Sequence, residues 1–340
     1  MKTLLASLPL SRFEIDRDHA SRVLPGLFDT LWADETTRVL PIWNGQALLA
    51  SGAADADDWG TTPSTDTPAT TAATTAAPTA ALAFLPPARI PQAEERVYLG
   101  LNLSAETAEP VGTRLVAASL SDDDARALEP DESRWVNLRQ GAQALGDRDA
   151  GAFTEALGIL NWHRSHTHCP RCGAATVVET GGWVRRCPVQ DIEIFPRTDP
   201  AVIVGIVDGD DRILLGSNAL WENNRYSLLA GFVEPGESLE AATIREVFEE
   251  SGVRILEPQY LGSQPWPFPA SLMCGFLAQV DPATAGDALL PDGEEILDVR
   301  WFSRADLTDP ATAPLLPGGA SIARAIIEHW YGGPIPAPSW

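Results

Sequence analysis

The sequence predicts an α+β protein of more than one domain. A small cysteine-bearing ribbon joins a smaller N-terminal α/β domain to a C-terminal domain. Three observations support this reading. The chain has 340 residues, more than one core usually holds. Apolar runs of strand length, bounded by turn dipeptides, alternate with a few segments of helical periodicity. Three of the four cysteines, Cys169, Cys172 and Cys187, fall in one short stretch between those segments. The boundaries drawn are 1–163, 164–196 and 197–340.

Composition narrows the function. A formal net charge of −23 repels phosphate backbones at long range, so an anionic substrate must be met by metal or a local basic patch. Four cysteines in this arrangement read as metal binding in a reducing compartment, not as a disulfide framework. The opening MKTLLASLPLSRFEID is too short and interrupted for a signal peptide, and no later run is long enough to span a membrane. The cytoplasm is the expected compartment.

In chain order, Thr37–Trp43 and Gln46–Leu49 read as strands joined by an Asn44-Gly45 turn. The tract 53–81 is Ala, Thr, Pro and Asp and cannot bury enough surface to offset its ordering entropy. Val97–Leu101 and Thr113–Leu120 are strand-like. Helical spacing then runs from Ser133 to His163, with a break near 146–151, and its tryptophans are read as core.

Cys169-Pro-Arg-Cys172 and Cys187, with fourteen residues between Cys172 and Cys187, have the spacing of a zinc ribbon. The second knuckle is incomplete, because Gln190 stands where its second cysteine is expected. Three thiolates need a fourth ligand, and Asp191, Glu193, His166 and His168 are the candidates. The alternative is a metal-free ribbon held by its hairpin and Trp183. Bound zinc here would be structural.

Ala201–Val207 and Ile213–Leu215 form a hairpin across Asp208–Asp211, and Tyr226–Phe232 is a further strand. It feeds the most informative stretch, GFVEPGESLEAATIREVFEESGV from Gly231 to Val253. Ser238 caps a helix that Gly252 ends. Glu246, Glu249 and Glu250 lie at i, i+3 and i+4, so three carboxylates share one helix face. Such a cluster repels itself unless a cation sits among it, and carboxylate oxygens suit a hard divalent ion that also holds phosphates. Beyond the helix come an irregular strand near Leu256–Leu261 and a stiff aromatic-proline loop, Ser263–Met273. Strands at Leu272–Val280 and Ile296–Phe302 follow, with Cys274 as a core thiol, and a last helix covers 320–331.

Glycine, five residues, Glu237, seven residues, then Arg245-Glu246-Val247-Phe248-Glu249-Glu250-Ser251-Gly252-Val253 resembles the Nudix hydrolase signature without departure. With the ribbon, the Phe195-Pro196 link and the Ser263–Met273 loop, the chain is similar to the NADH pyrophosphatase family. That resemblance implies an α/β/α sandwich built on a mixed sheet, a homodimer, and metal-dependent hydrolysis of NADH, and less efficiently NAD⁺, to the nicotinamide mononucleotide plus AMP. Some relatives remove NAD caps from RNA, and such RNA or another dinucleotide is the alternative substrate. By the same resemblance, Glu246, Glu249 and Glu250 hold Mg²⁺ or Mn²⁺, and Glu295 is a further acid acting on metal or as base. Arg245 pairs with Glu237 and braces the helix. Phe195 and Phe268 are stacking candidates for the dinucleotide, with Ser263, Gln264 and Ala323 as polar or backbone contacts. Arg164, Arg171, Arg185 and Arg186 near the ribbon offer a local basic track.

Overall fold

The computed structural model describes residues 8–51, 78–221, 224–284 and 288–336. Most of the expected 53–81 tract, and the first seven residues, lie outside the described residues. The chain divides into two compact units. One is Arg12–Arg197 with Pro267–Ala270, and the other is Met1–Ser11, Thr198–Trp266 and Ser271–Trp340.

The first unit holds a six-stranded sheet. Its strands are β1 (Ile15–Asp16), β2 (Arg38–Trp43), β3 (Gln46–Leu48), β4 (Ala93–Asn102), β5 (Arg114–Leu120) and β6 (Trp135–Asn137), in the order β1-β4-β5-β2-β3-β6. Asn44 and Gly45, at φ 50° and 79°, make the β2–β3 turn, where both central residues need positive φ. Helices α1 (Leu27–Ala33), α2 (Asp122–Leu128), α3 (Leu138–Gly141) and α4 (Asp147–Ser165) complete it. Two expectations are corrected here. Trp135–Asn137 is a strand, paired with β3, although its apolar spacing also fits a helix. The helical break falls at 142–146, because Gly146 is the extended N-cap of α4. The ribbon is a three-stranded sheet of β7 (Val177–Glu179), β8 (Val184–Cys187) and β9 (Ile192–Ile194). Trp183 ties it to β4 by donating its indole N–H to the Tyr98 carbonyl at 2.9 Å.

The second unit is a mixed sheet between helices. Its strands are β10 (Asp199–Val207), β11 (Ile213–Asn218), β12 (Leu229–Phe232), β13 (Ile255–Trp266), β14 (Ser271–Val280) and β15 (Ile296–Phe302). The main order is β13-β14-β10-β11-β15, with β12 on the first half of β10. β10 runs parallel to β14 and is apolar almost throughout because both of its faces are covered. Ile203 and Val207 point into a core shared with α6 (Ile322–Tyr331). Val202, Val204 and Ile206 point the other way, into a core shared with Ala242 and Val247 of α5 (Leu239–Ser251). Each such side chain contributes about 1.5–3 kcal/mol when fully buried. Cys274 lies in the α5-side core, as expected.

The aromatic-proline stretch is not one loop. Ser263–Trp266 is the end of β13 and Ser271–Met273 the start of β14, with only Pro267–Ala270 turning between them. Pro265 is tolerated because β13 is an edge strand, where a missing N–H costs no ladder bond. Among the described residues no helix is long and apolar enough to cross a membrane.

Candidate active site

The site begins where β12 delivers the chain to α5. The Ser238 hydroxyl caps α5, accepting the Ala241 N–H at 3.1 Å, and Gly252 ends the helix in the left-handed region at φ 73°. Between β12 and the helix, Glu237 folds back to accept the Glu234 N–H at 3.0 Å. Glu237 also takes two bonds from Arg245, Nε at 2.7 Å and Nη2 at 2.8 Å. This bidentate grip holds the Glu237 carboxyl down at about 2, through the arginine first and the backbone N–H second.

Arg245 does more than pair with Glu237. Its Nη1 donates to Glu246 at 2.8 Å and to Glu249 at 2.9 Å, and Nη2 reaches the Phe232 carbonyl at 3.0 Å. One guanidinium therefore stitches the loop, the strand end and the helix together. It also offsets the repulsion that the i, i+3 carboxylates would otherwise feel.

Glu246 lies directly over Gly231. A β-carbon at position 231 would stand 2.0 Å from the Glu246 carboxyl carbon. Glycine is required there by the close approach of a side chain, not by its own dihedral angles. Burial raises the Glu246 carboxyl, and Arg245 works against that rise.

Glu250 is the most enclosed of the set, at 6% exposure. Burial, then Glu246 and Glu295, push its carboxyl up to about 8, against a hydrogen bond from the Ala230 backbone. Its Oε2 is buried with no hydrogen-bond partner. A buried orphan oxygen facing further carboxylates is what a divalent cation would satisfy, so the donor set fits one. The four carboxylates are not drawn into a single knot: among the described residues only the three ribbon thiols lie within 4.8 Å of one another. Glu246 and Glu249 are instead turned onto Arg245.

Glu250 and Glu295 open into one cavity of about 230 Å³ that Trp266, Met273, Ser321 and Ala323 also line. Glu295 is exposed on the loop before β15, and Asn218 approaches one of its oxygens at 3.4 Å. Asp292 shapes that loop, its Oδ1 accepting the N–H groups of Glu294, Glu295 and Ile296 at 2.7, 2.9 and 3.0 Å.

The remaining candidates are distributed as follows. Ala323 is buried in the first turn of α6 and lines the cavity. Gln264 is fully buried beneath that turn, giving its amide N–H to the Ala320 carbonyl and accepting the Ile322 N–H, both at 2.9 Å. The Ser263 carbonyl accepts the Ser11 hydroxyl at 3.0 Å. Phe195 and Phe268 belong to the first unit. Phe195 is 62% exposed, and the Arg139 guanidinium stands 4.2 Å from the centre of the Phe268 ring. Asn161 of α4 donates to the carbonyls of Pro267 and Pro269 on either side of Phe268, at 2.8 and 3.2 Å.

Comparison with known proteins bears on this geometry. Three family descriptions match in succession: an NADH pyrophosphatase-like rudimentary NUDIX domain at 36–162, an NADH pyrophosphatase zinc ribbon domain at 164–190, and a NUDIX domain at 197–325. The chain belongs to the NADH pyrophosphatase family of Nudix hydrolases. The NAD-capped RNA hydrolase NudC of Mycobacterium bovis is 42% identical over 205 residues, 57% of this chain and 64% of that protein. The human NAD-capped RNA hydrolase NUDT12 is 38% identical over 200 residues, 55% of this chain and 42% of that protein. The match thus spans less than two thirds of either relative's length. The first unit's sheet is accordingly a second, rudimentary Nudix-like domain, which the sequence reading had as α/β only.

The ribbon of this Nudix hydrolase brings Cys169, Cys172 and Cys187 together, with the Cys172 and Cys187 sulfurs 3.6 Å apart. Three convergent thiols fit zinc. Two of the four arginines of the expected basic track are engaged elsewhere: Arg185 is buried against His163 and Thr176, and Arg186 pairs with Glu179, Asp191 and Glu193, while Arg164 and Arg171 are exposed.

Sequence reasoning missed Asp292 and Asn218, and read Trp266 only as part of the aromatic-proline stretch. The Asp292-Gly293 turn just before two glutamates is a legible signal for Asp292. Asn218 carries none, since strand ends meet only in three dimensions.

Proposed function

We propose that this chain is a metal-dependent pyrophosphatase that cleaves NADH and NAD⁺ to the nicotinamide mononucleotide and AMP. The observation that carries the reading is the shared cavity of Glu250, Glu295, Trp266 and Ala323, opening beside the Arg245-braced helix. Glu246, Glu249, Glu250 and Glu295 would hold Mg²⁺ or Mn²⁺. When bound, such an ion neutralises pyrophosphate charge and lowers the pKa of a water ligand. The protein's part is positioning. Arg245 keeps Glu246 and Glu249 from scattering and fixes the loop through Glu237. Gln264 anchors the first turn of α6, so that Ala323 keeps its place in the cavity wall. Phe195 and Phe268, both of the first unit, are aromatic faces suited to stacking on a planar ring. Glu249→Gln is expected to remove nearly all turnover while the circular dichroism spectrum stays native. Retained turnover would overturn the carboxylate assignment.

A second substrate is favoured by a specific finding, the identity of 42% to a protein named as an NAD-capped RNA hydrolase. The same pyrophosphate would then be cleaved with RNA on the adenosine side. The engagement of Arg185 and Arg186 within the ribbon and the charge of −23 favour the free dinucleotide. Comparing kcat/KM for NADH and an NAD-capped RNA decides the order. We read the protein as a homodimer, tested by sedimentation. The cytoplasm suits four free thiols.

A further inference from the structure

The ribbon thiols carry an inference independent of the dinucleotide reading. Zinc in a structural site is four-coordinate and closed by protein ligands. Here three sulfurs converge, and among the described residues no fourth His, Cys, Asp or Glu atom joins them within 4.8 Å.

None of the acidic or histidine side chains considered for the fourth position joins the three sulfurs within 4.8 Å, and each makes a contact of its own. Asp191 and Glu193 are held by Arg186, at 3.0 and 2.8 Å. His166 Nδ1 lies 2.9 Å from the Ser165 hydroxyl, and His168 Nδ1 lies 2.9 Å from the Thr167 hydroxyl. Gln190, at the place of the missing knuckle cysteine, is exposed, and a neutral amide is a poor ligand for zinc beside thiolates. The three sulfurs are not equally enclosed: Cys169 and Cys187 are buried and Cys172 is exposed. One side of the cluster therefore faces solvent.

We propose that this ribbon binds zinc through Cys169, Cys172 and Cys187 alone and leaves the fourth coordination position to an exchangeable ligand from solution. Water fills that position by default, and a small thiolate displaces it without removing the metal. The exchange transfers no electrons: a coordinated water leaves, a thiol loses its proton to the buffer, and its sulfur takes the vacated position. Three protein ligands plus one exchangeable position is otherwise the ligand count of catalytic zinc. The ribbon thus becomes a point where small soft ligands dock on metal.

Cobalt(II) spectroscopy on the full chain tests this. Thiolate-to-cobalt charge-transfer absorption reports sulfur ligands, whereas a carboxylate site contributes none. The protein, reduced with a phosphine and loaded with Co²⁺, should show thiolate bands about three quarters as intense as those of Gln190→Cys, since the variant closes the site with a fourth sulfur. Titrating 2-mercaptoethanol should raise the wild-type bands toward the variant's level and leave the variant unchanged. Elemental analysis after gel filtration should find cobalt retained throughout. Cys172→Ser should lose about a third of the wild-type intensity. Wild-type bands that do not respond to added thiol would overturn the proposal, because a protein group must then occupy the fourth position. Absent thiolate bands, or cobalt stripped by the thiol, would also overturn it. If Gln190→Cys fails to fold, the wild-type titration decides alone.

Discussion

Replacing Gly231 by alanine puts a methyl carbon 2.0 Å from the Glu246 carboxyl carbon, where ordinary contact begins at 3.4 Å. The backbone of β12 is paired with β10 at this residue, Gly231 opposite Val202, so the strand does not yield. The flexible end of Glu246 yields instead, by about 1.4 Å, and leaves its 2.8 Å bond to Arg245. Losing one charge-assisted bond between partly buried groups costs about 1–2 kcal/mol. That lowers Tm by only about 3–8 °C for a unit of this size. Misplacing a metal-binding carboxylate by about 1 Å costs far more in function, on the order of 100-fold in kcat/KM. Gly231→Ala should therefore be a nearly stable, nearly inactive protein that needs a higher Mg²⁺ or Mn²⁺ concentration. Thermal melts and metal titrations of NADH turnover measure both sides. Unchanged activity at the wild-type metal requirement would refute the placement of Glu246.

Arg245→Lys keeps the charge but cannot span Glu237, Glu246, Glu249 and the Phe232 carbonyl at once, so kcat/KM should fall about 10- to 100-fold. A lysine variant of wild-type activity would remove the bracing role. Gln264→Leu leaves the Ala320 carbonyl and the Ile322 N–H buried and unpaired, which should destabilise by about 2–4 kcal/mol in denaturant titration. Two buried groups make opposite contributions to stability against pH. Burial drives His163 down to about 4 from 6.5, so the unfolded chain protonates first and stability falls as pH drops through that interval. Burial lifts Glu155 to about 7 from 4.5, so the folded chain keeps its proton and stability falls as pH rises through that interval. Each effect amounts to about 3 kcal/mol, and they nearly cancel between pH 4.5 and 6.5. Glu155→Gln should unmask the histidine, giving stability that rises with pH across that range. A flat profile in the variant would contradict the assignment.

The helix and its loops were legible because their chemistry is local. Ser238 and Gly252 are caps that neighbours in sequence require, and the carboxylate spacing follows from 3.6 residues per turn. The same holds for the Asn44-Gly45 hairpin and for β15. What the sequence hid depends on distant partners. Trp135–Asn137 has helical spacing, yet β3 claims it as a strand. Pro265 reads as loop until β13 is seen to be an edge. Gln264 reads as a substrate contact because polar residues in a motif invite that role, but its amide bridges Ala320 and Ile322, more than fifty positions away. The ribbon arginines read as a track because only the fold reveals Arg185 inside and Arg186 among three acids.

The Gly231–Val253 segment and the cavity beside it are assigned to hydrolysis of a dinucleotide pyrophosphate with a divalent metal. Product analysis of NADH incubated with the full chain, with and without Mg²⁺ or Mn²⁺, tests it most directly. The reduced nicotinamide mononucleotide and AMP are expected in equal amounts, only when metal is present. Nicotinamide with ADP-ribose, or the same products at an undiminished rate in chelator, would contradict it.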